Sequence, residues 1–119
     1  MKRDLELIKK ILLKVEEHNS TSVIQNLKIE DYDQEFINYQ IYLLHQAGLV
    51  KADFARVGAN EIADAEILEM TWNGHEFLDA ARNETIWKRT KELIKEHGGS
   101  VPFEVLQSIL KHVALSLIK

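Results

Sequence analysis

The chain contains no cysteine, which excludes disulfides and thiolate metal sites and fits a reducing compartment. No run approaches the ~20 consecutive apolar residues that a membrane span requires. The opening stretch MKRDLELIKKILLKVEE starts basic but carries acids throughout, so it reads as neither signal peptide nor anchor, and the expected location is cytoplasmic. Glycine is sparse and builds no phosphate loop, and no serine stands in a GxSxG setting. The paired carboxylates Glu16-Glu17 and Glu30-Asp31 fall at helix ends and in loops, where nothing would perturb them for acid–base work. No catalytic residue, cofactor or metal is therefore expected, and the chain reads as a non-enzymatic protein. Positive charge is missing from the middle of the chain: there is no Lys or Arg between Glu30 and Val50, nor between Val57 and Ala81. The bases gather at the ends, as Lys2, Arg3, Lys9, Lys10 and Lys14, then Arg82, Lys88, Arg89, Lys91 and Lys95.

What remains is an ordinary globular composition, 45% hydrophobic and 29% charged over 119 residues, with a net charge of −4. That length fits one domain with a small helical extension. The acidic balance argues mildly against nucleic acid, since phosphate binding needs concentrated Lys and Arg.

Leu5, Ile8, Leu12 and Val15 recur at helical spacing, and Asp4 and Glu6 suit a first turn, predicting a helix from Asp4 to Glu17 that ends at His18-Asn19-Ser20. TSVIQNLKI reads as a short strand or irregular connection. Asp33 can cap a second helix, with Glu35 in its first turn, Ile37, Ile41 and Leu44 as its core stripe, and Gly48 at its end. LVKADFAR alternates, with Val50, Ala52 and Phe54 on one side. AEILEMT alternates too, with Leu68 and Met70 facing alike, and Gly58 and Asn60 supply the turn of a β-hairpin. Thr71 is a plausible cap for WNGHEFLDAAR, whose apolar face would use Trp72, Phe77, Leu78 and Ala81. A helix over Glu84–His97 places Ile86, Trp87, Thr90, Leu93 and Ile94 together, and Gly98-Gly99 stops it. The single proline, Pro102, suits the first turn of a last helix, along which Leu106, Leu110, Val113 and Leu117 repeat.

A long helix followed directly by GLV and a hairpin is the core of a winged-helix domain. The predicted fold is α+β, mostly helical: a winged-helix-like domain with a two-stranded wing over residues 1–81, and a helical extension packed on it over 82–119.

MKRDLELIKKILLKVEE, INYQIYLLHQAGLV, LEMTWNGHEFLDAARNETIWKRTKE and GGSVPFEVLQSILK, taken in order, resemble a bacterial and phage family known as a domain of unknown function, DUF family 2513. TWNGHEFLDAAR followed by IW is the most specific part. The resemblance implies a winged-helix-like N-terminal part and carries over no catalytic residue. More widely, Leu43, Leu44, Gly48, Leu49 and Val50, then Thr71 and Gly74, are similar to the reading-helix end and post-wing segment of winged-helix transcription regulators. One departure stands out. Only His18 to Tyr32 separates helix one from the candidate reading helix, and TSVIQNLKI makes a poor positioning helix.

If the second helix enters a major groove, Gln34, Phe36, Asn38, Tyr39, Gln40 and Tyr42 are its candidate contacts, with Lys51 and Arg56 on the wing for phosphates. Against this stand Glu30, Asp31, Asp33 and Glu35 at the end that would face the polyanion. Phe36 and Tyr39 also suit the anchors of a protein interface. Lys88, Arg89, Lys91 and Lys95 read as a solvated helix face, diluted by Glu84, Glu92 and Glu96. His75 and Asp79 in HEFLD lack the further ligands a zinc site needs. The last helix, through Leu106, Ile109, Leu110, Val113 and Leu117, is a candidate homodimer face. Two readings stand: a small DNA-binding regulator, which requires Lys2, Arg3, Lys9 or Arg89 to lie beside the reading helix, and, narrowly behind it, a protein-interaction module that uses Phe36, Tyr39 and Tyr42.

Overall fold

A computed structural model describes every residue except Asn19, Ala59, Asn60, Ile118 and Lys119. The expectations placed on Asn19 and Asn60 lie outside the described residues. Among those residues the chain forms five helices and a three-stranded antiparallel sheet, an α+β fold that is mostly helical. None of the helices is long and apolar enough to cross a membrane. The chain divides into two compact units, Met1–His75 and Glu76–Lys119.

The first unit opens with α1 (Leu5–Glu17), whose first turn is closed by the Asp4 carboxylate accepting from Leu7 N at 3.0 Å. Such a cap contributes about 1 kcal/mol. The buried stripe is Leu7, Ile8, Ile11, Leu12 and Val15. Leu5, expected in it, is only half-buried, so the face is centred between Ile8 and Ile11.

The connection after α1 contains β1 (Ile24–Gln25) and no helix among its described residues. Asn26, at φ +48°, turns the chain away from the sheet, a conformation asparagine tolerates better than most residues. Its own amide and side chain continue the ladder: Asn26 N donates to Ala65 O at 2.9 Å, and Ala65 N donates to Asn26 Oδ1 at 3.0 Å.

Helix α2 (Gln34–Gln46) begins after Asp33, which caps by position only, as its carboxylate makes no capping bond. The helix ends where Gly48 takes φ +78°. Gly48 N then donates to His45 O and Leu49 N to Leu44 O, the paired reversal that a left-handed residue permits.

The sheet has order β1-β3-β2, with β2 (Val50–Val57) and β3 (Glu61–Met70) antiparallel. Two bulges interrupt their ladder: Lys51 faces Glu69 but Ala52 faces Ile67, and Ala55 faces Asp64 but Arg56 faces Ile62. Leu68 and Ala63 are the unmatched residues. The sequence places Leu68 and Met70 on the same face. The bulge separates them, so Met70 is buried while Leu68 is 39% exposed and Ile67 takes the inner position.

Thr71 ties this sheet to the turn after α2. Its amide donates to Leu49 O at 3.0 Å and its hydroxyl donates to Gly48 O at 2.6 Å. The same oxygen accepts from Gly74 N at 3.0 Å, capping α3 (Trp72–Ala81). Gly74 is required here, because a Cβ would overlap the Leu49 carbonyl oxygen and crowd Met70. Trp72, assigned to the apolar face from the sequence, is 79% exposed; it stands in the turn where the cap, not the core, sets the helix direction.

In the second unit α3 buries Phe77, Leu78 and Ala81. Helix α4 (Glu84–Glu96) is capped by Asn83 Oδ1, which accepts from Ile86 N at 3.1 Å, and buries Ile86, Trp87, Thr90 and Ile94, with Leu93 half-buried. Thr90 is satisfied by donating to Ile86 O at 2.7 Å. Phe77 meets Trp87 edge-on and Phe103 at a tilt, with centroids 6.4 and 5.8 Å away. Gly98 and Gly99, both at positive φ, end α4. Helix α5 (Phe103–Leu117) follows Pro102, which sits one place before its first turn and accepts there from Leu106 N.

Candidate interaction face on the second helix

Helix α2 buries one face of five residues. Ile37, Ile41 and Leu44 form the expected stripe, and Asn38 and Gln40, which flank it at helical spacing, are buried with it at 1% and 0% exposure. Both were candidate base contacts; they lie on the core side because the stripe is wider than its three apolar residues suggest. Each is spent on internal hydrogen bonds. Gln34 Nε2 donates to Asn38 Oδ1 at 2.8 Å and to Leu27 O at 3.0 Å, which fixes the connection preceding the helix. Gln40 Nε2 donates to Lys2 O, and Gln40 Oε1 accepts from Asp4 N, both at 2.8 Å. One side-chain amide thereby holds the backbone on either side of Arg3 against α2.

The open side of α2 carries Glu35, Tyr39 and Gln46 along its ridge, with Phe36 and Leu43 on one flank and Tyr42 and His45 on the other. Aromatic rings line it. Tyr32 stacks on Phe36 at 6.5 Å, and Tyr39 on Tyr42 at 6.4 Å. Tyr42 meets Phe54 of β2 edge-on at 5.4 Å, and His45 meets the same ring at 5.5 Å. Two cations lie on this surface through ring faces: Arg56 is 5.1 Å from the Tyr42 centroid, and Lys10 is 5.4 Å from that of Tyr32. Lys51, the other candidate phosphate contact, pairs with Glu69 at 3.0 Å on the exposed sheet surface.

The structure thus gathers Phe36, Tyr39, Tyr42 and Arg56 on one face and withdraws Asn38 and Gln40 from it. Sequence reasoning missed Phe54 and His45. Alternation places Phe54 on the inner side of its strand with Val50 and Ala52, but the strand outruns the core there and leaves the ring half-buried against α2. Alternation alone carries no signal for a strand position meeting a helix position twelve residues earlier.

The residues expected at a homodimer face are divided. Leu106, Leu110 and Val113 are buried within the chain, Ile109 is half-buried, and Leu117 is 49% exposed. Asp79 of the HEFLD segment pairs with Arg82 at 3.3 Å. Among the described residues, no three His, Asp or Glu side chains gather as a metal site would require.

No solved structure matches the chain. A protein of Haemophilus influenzae, named only as an uncharacterized protein, is 32% identical over 123 residues, covering 99% of each chain. The family model described as hypothetical protein (DUF2513) matches residues 2–100. That span takes in all of the Met1–His75 unit but its first residue, including the Thr71–Gly74 tie and the aromatic face. The chain belongs to the DUF2513 family.

Proposed function

We propose that Met1–His75 is a winged-helix variant lacking a positioning helix, and that it serves as a non-enzymatic docking module for a partner protein, received on the aromatic face of α2 and β2. The observation that carries this reading is the exchange on α2: its reading amides, Asn38 and Gln40, are used inside the fold, while Tyr39, Tyr42 and Phe54 are left partly open. Tyrosine and phenylalanine in half-open positions are the residues that carry protein interfaces. The exposed acids Asp31, Asp33 and Glu35 at the start of α2 oppose a polyanion and suit a partner segment bearing Lys or Arg.

A second reading, duplex DNA, is favoured by the Gln40 bridge. It holds Lys2 and Arg3 on one flank of α2 while Arg56 stands on the other, which is the charge placement a groove-binding helix needs. The family of sheet orders in which a short first strand pairs with the third supports a winged scaffold under either reading.

Binding to random duplex DNA across a salt series, beside an Arg56→Glu, Lys51→Glu double variant, separates the two. The docking reading expects no salt-dependent binding, and expects a partner captured by the wild-type protein to be lost with Tyr39→Ala, Phe54→Ala. Binding in the micromolar range that weakens steeply with salt and vanishes in the charge variant would overturn it in favour of DNA.

A further inference from the structure

Helix α5 carries two stripes. Leu106, Leu110 and Val113 are buried. About half a turn around the helix, the row Glu104, Ser108 and His112, spaced one helical turn apart, runs along the opposite side with Val105 and Leu115 beside it. Val105 is 40% exposed and Leu115 58%. A shallow groove of about 380 Å³ follows this row, walled by Leu93 of α4 and by Glu104, Val105, Ser108, Ile109 and His112 of α5.

We propose that this row, and not the Leu106 stripe, is where a second copy of the chain docks, with the two α5 helices antiparallel about a two-fold axis through Ser108. The charge pattern of the helix selects that occupant. Glu104 is the only acid in α5 and stands four residues before Ser108; Lys111 and His112 are its only basic residues and stand three and four residues after it. A two-fold axis at Ser108 therefore sets each Glu104 beside the partner's Lys111 and the partner's His112, and it does so twice. An acid on one side of a centre and a lysine at nearly the same distance on the other, with an imidazole next to it, are self-complementary, which is the condition an isologous interface imposes. Ser108 supplies the small side chain at the crossing point, letting the helices approach, while Val105 and Ile109 provide apolar cover along one flank of the row and Leu115 extends it towards the helix end. Antiparallel packing also opposes the two helix dipoles favourably.

Analytical ultracentrifugation of the full chain tests this. A monomer–dimer equilibrium is expected within about 100 µM protein. Val105→Glu should leave a monomer with unchanged helical circular dichroism, since that side chain is already exposed. Glu104→Lys alone, and Lys111→Glu with His112→Glu, should each weaken the dimer by about fivefold or more, since two symmetry-related pairs become repulsive. Combining all three substitutions should return the affinity to near the wild-type value, a rescue that a merely structural role for these residues would not produce. A wild-type chain that stays monomeric, a dimer indifferent to Val105→Glu, or a triple variant as weak as its parents would each overturn the proposal.

Discussion

Gln40 Oε1 accepts the backbone hydrogen bond of Asp4 at 2.8 Å, although the two residues lie 36 positions apart. The first residues of the chain are thereby a part of the α2 surface. The same amide donates to Lys2 O, so two backbone groups depend on one side chain. Replacing Gln40 with Met, of similar length but without polar atoms, should cost about 2–3 kcal/mol, because two backbone groups lose the partner that Gln40 gives them in a half-buried setting. Urea denaturation checks the loss, and hydrogen exchange at the Asp4 amide should speed up. A Gln40 serving as an exposed reading residue would give a silent variant instead.

Gly74 should be irreplaceable even by alanine. The space its Cβ needs is occupied by the Leu49 carbonyl oxygen and the Met70 side chain. Backbone on one side cannot yield, so Gly74→Ala should destabilise by about 3 kcal/mol or more despite the better helix propensity of alanine. A thermal melt within a degree or two of wild type would contradict that packing.

Thr71 offers a finer test of the same junction. Its hydroxyl both donates to Gly48 O and accepts from Gly74 N. Thr71→Val keeps the shape and removes both bonds, with an expected loss of about 1–2 kcal/mol, whereas Thr71→Ser should retain most of the stability. Chemical denaturation of the pair distinguishes hydrogen bonding from packing.

On α5, Leu106 and Leu117 share a sequence pattern but not an environment, being 0% and 49% exposed. Leu106→Ala should lower stability by about 3 kcal/mol, and Leu117→Ala by less than about 1 kcal/mol. Similar losses at both sites would mean that the whole stripe is covered.

Element order was legible because the helices carry their own punctuation: Asp4, Gly48, Thr71 and the Gly98-Gly99 pair act where they stand in the sequence. The face of each helix was legible only in outline. Apolar periodicity counts Ile37, Ile41 and Leu44 but cannot count Asn38 or Gln40: Gln40 is held by backbone partners at Lys2 and Asp4, and Asn38 by the Gln34 amide, which also reaches Leu27 O. The aromatic site was half legible for the same reason. Tyr39 and Tyr42 announce themselves on an open helix side, whereas Phe54 joins them only through the path of the strand. TWNG, the most distinctive motif in the sequence, proves to be the tie between the end of α2 and the start of α3.

The two bulges give the β2–β3 hairpin an arithmetic of parity. Eight residues of β2 run beside ten of β3, and the surplus pair is Ala63 and Leu68. One surplus residue exchanges the inner and outer faces of everything beyond it, and a second restores them. Ile62, Ala65, Ile67 and Met70 all reach the core only because both are present. Removing either one alone should turn part of the strand inside out, while removing both leaves the two ends in phase. In this hairpin a double deletion should be gentler than a single one.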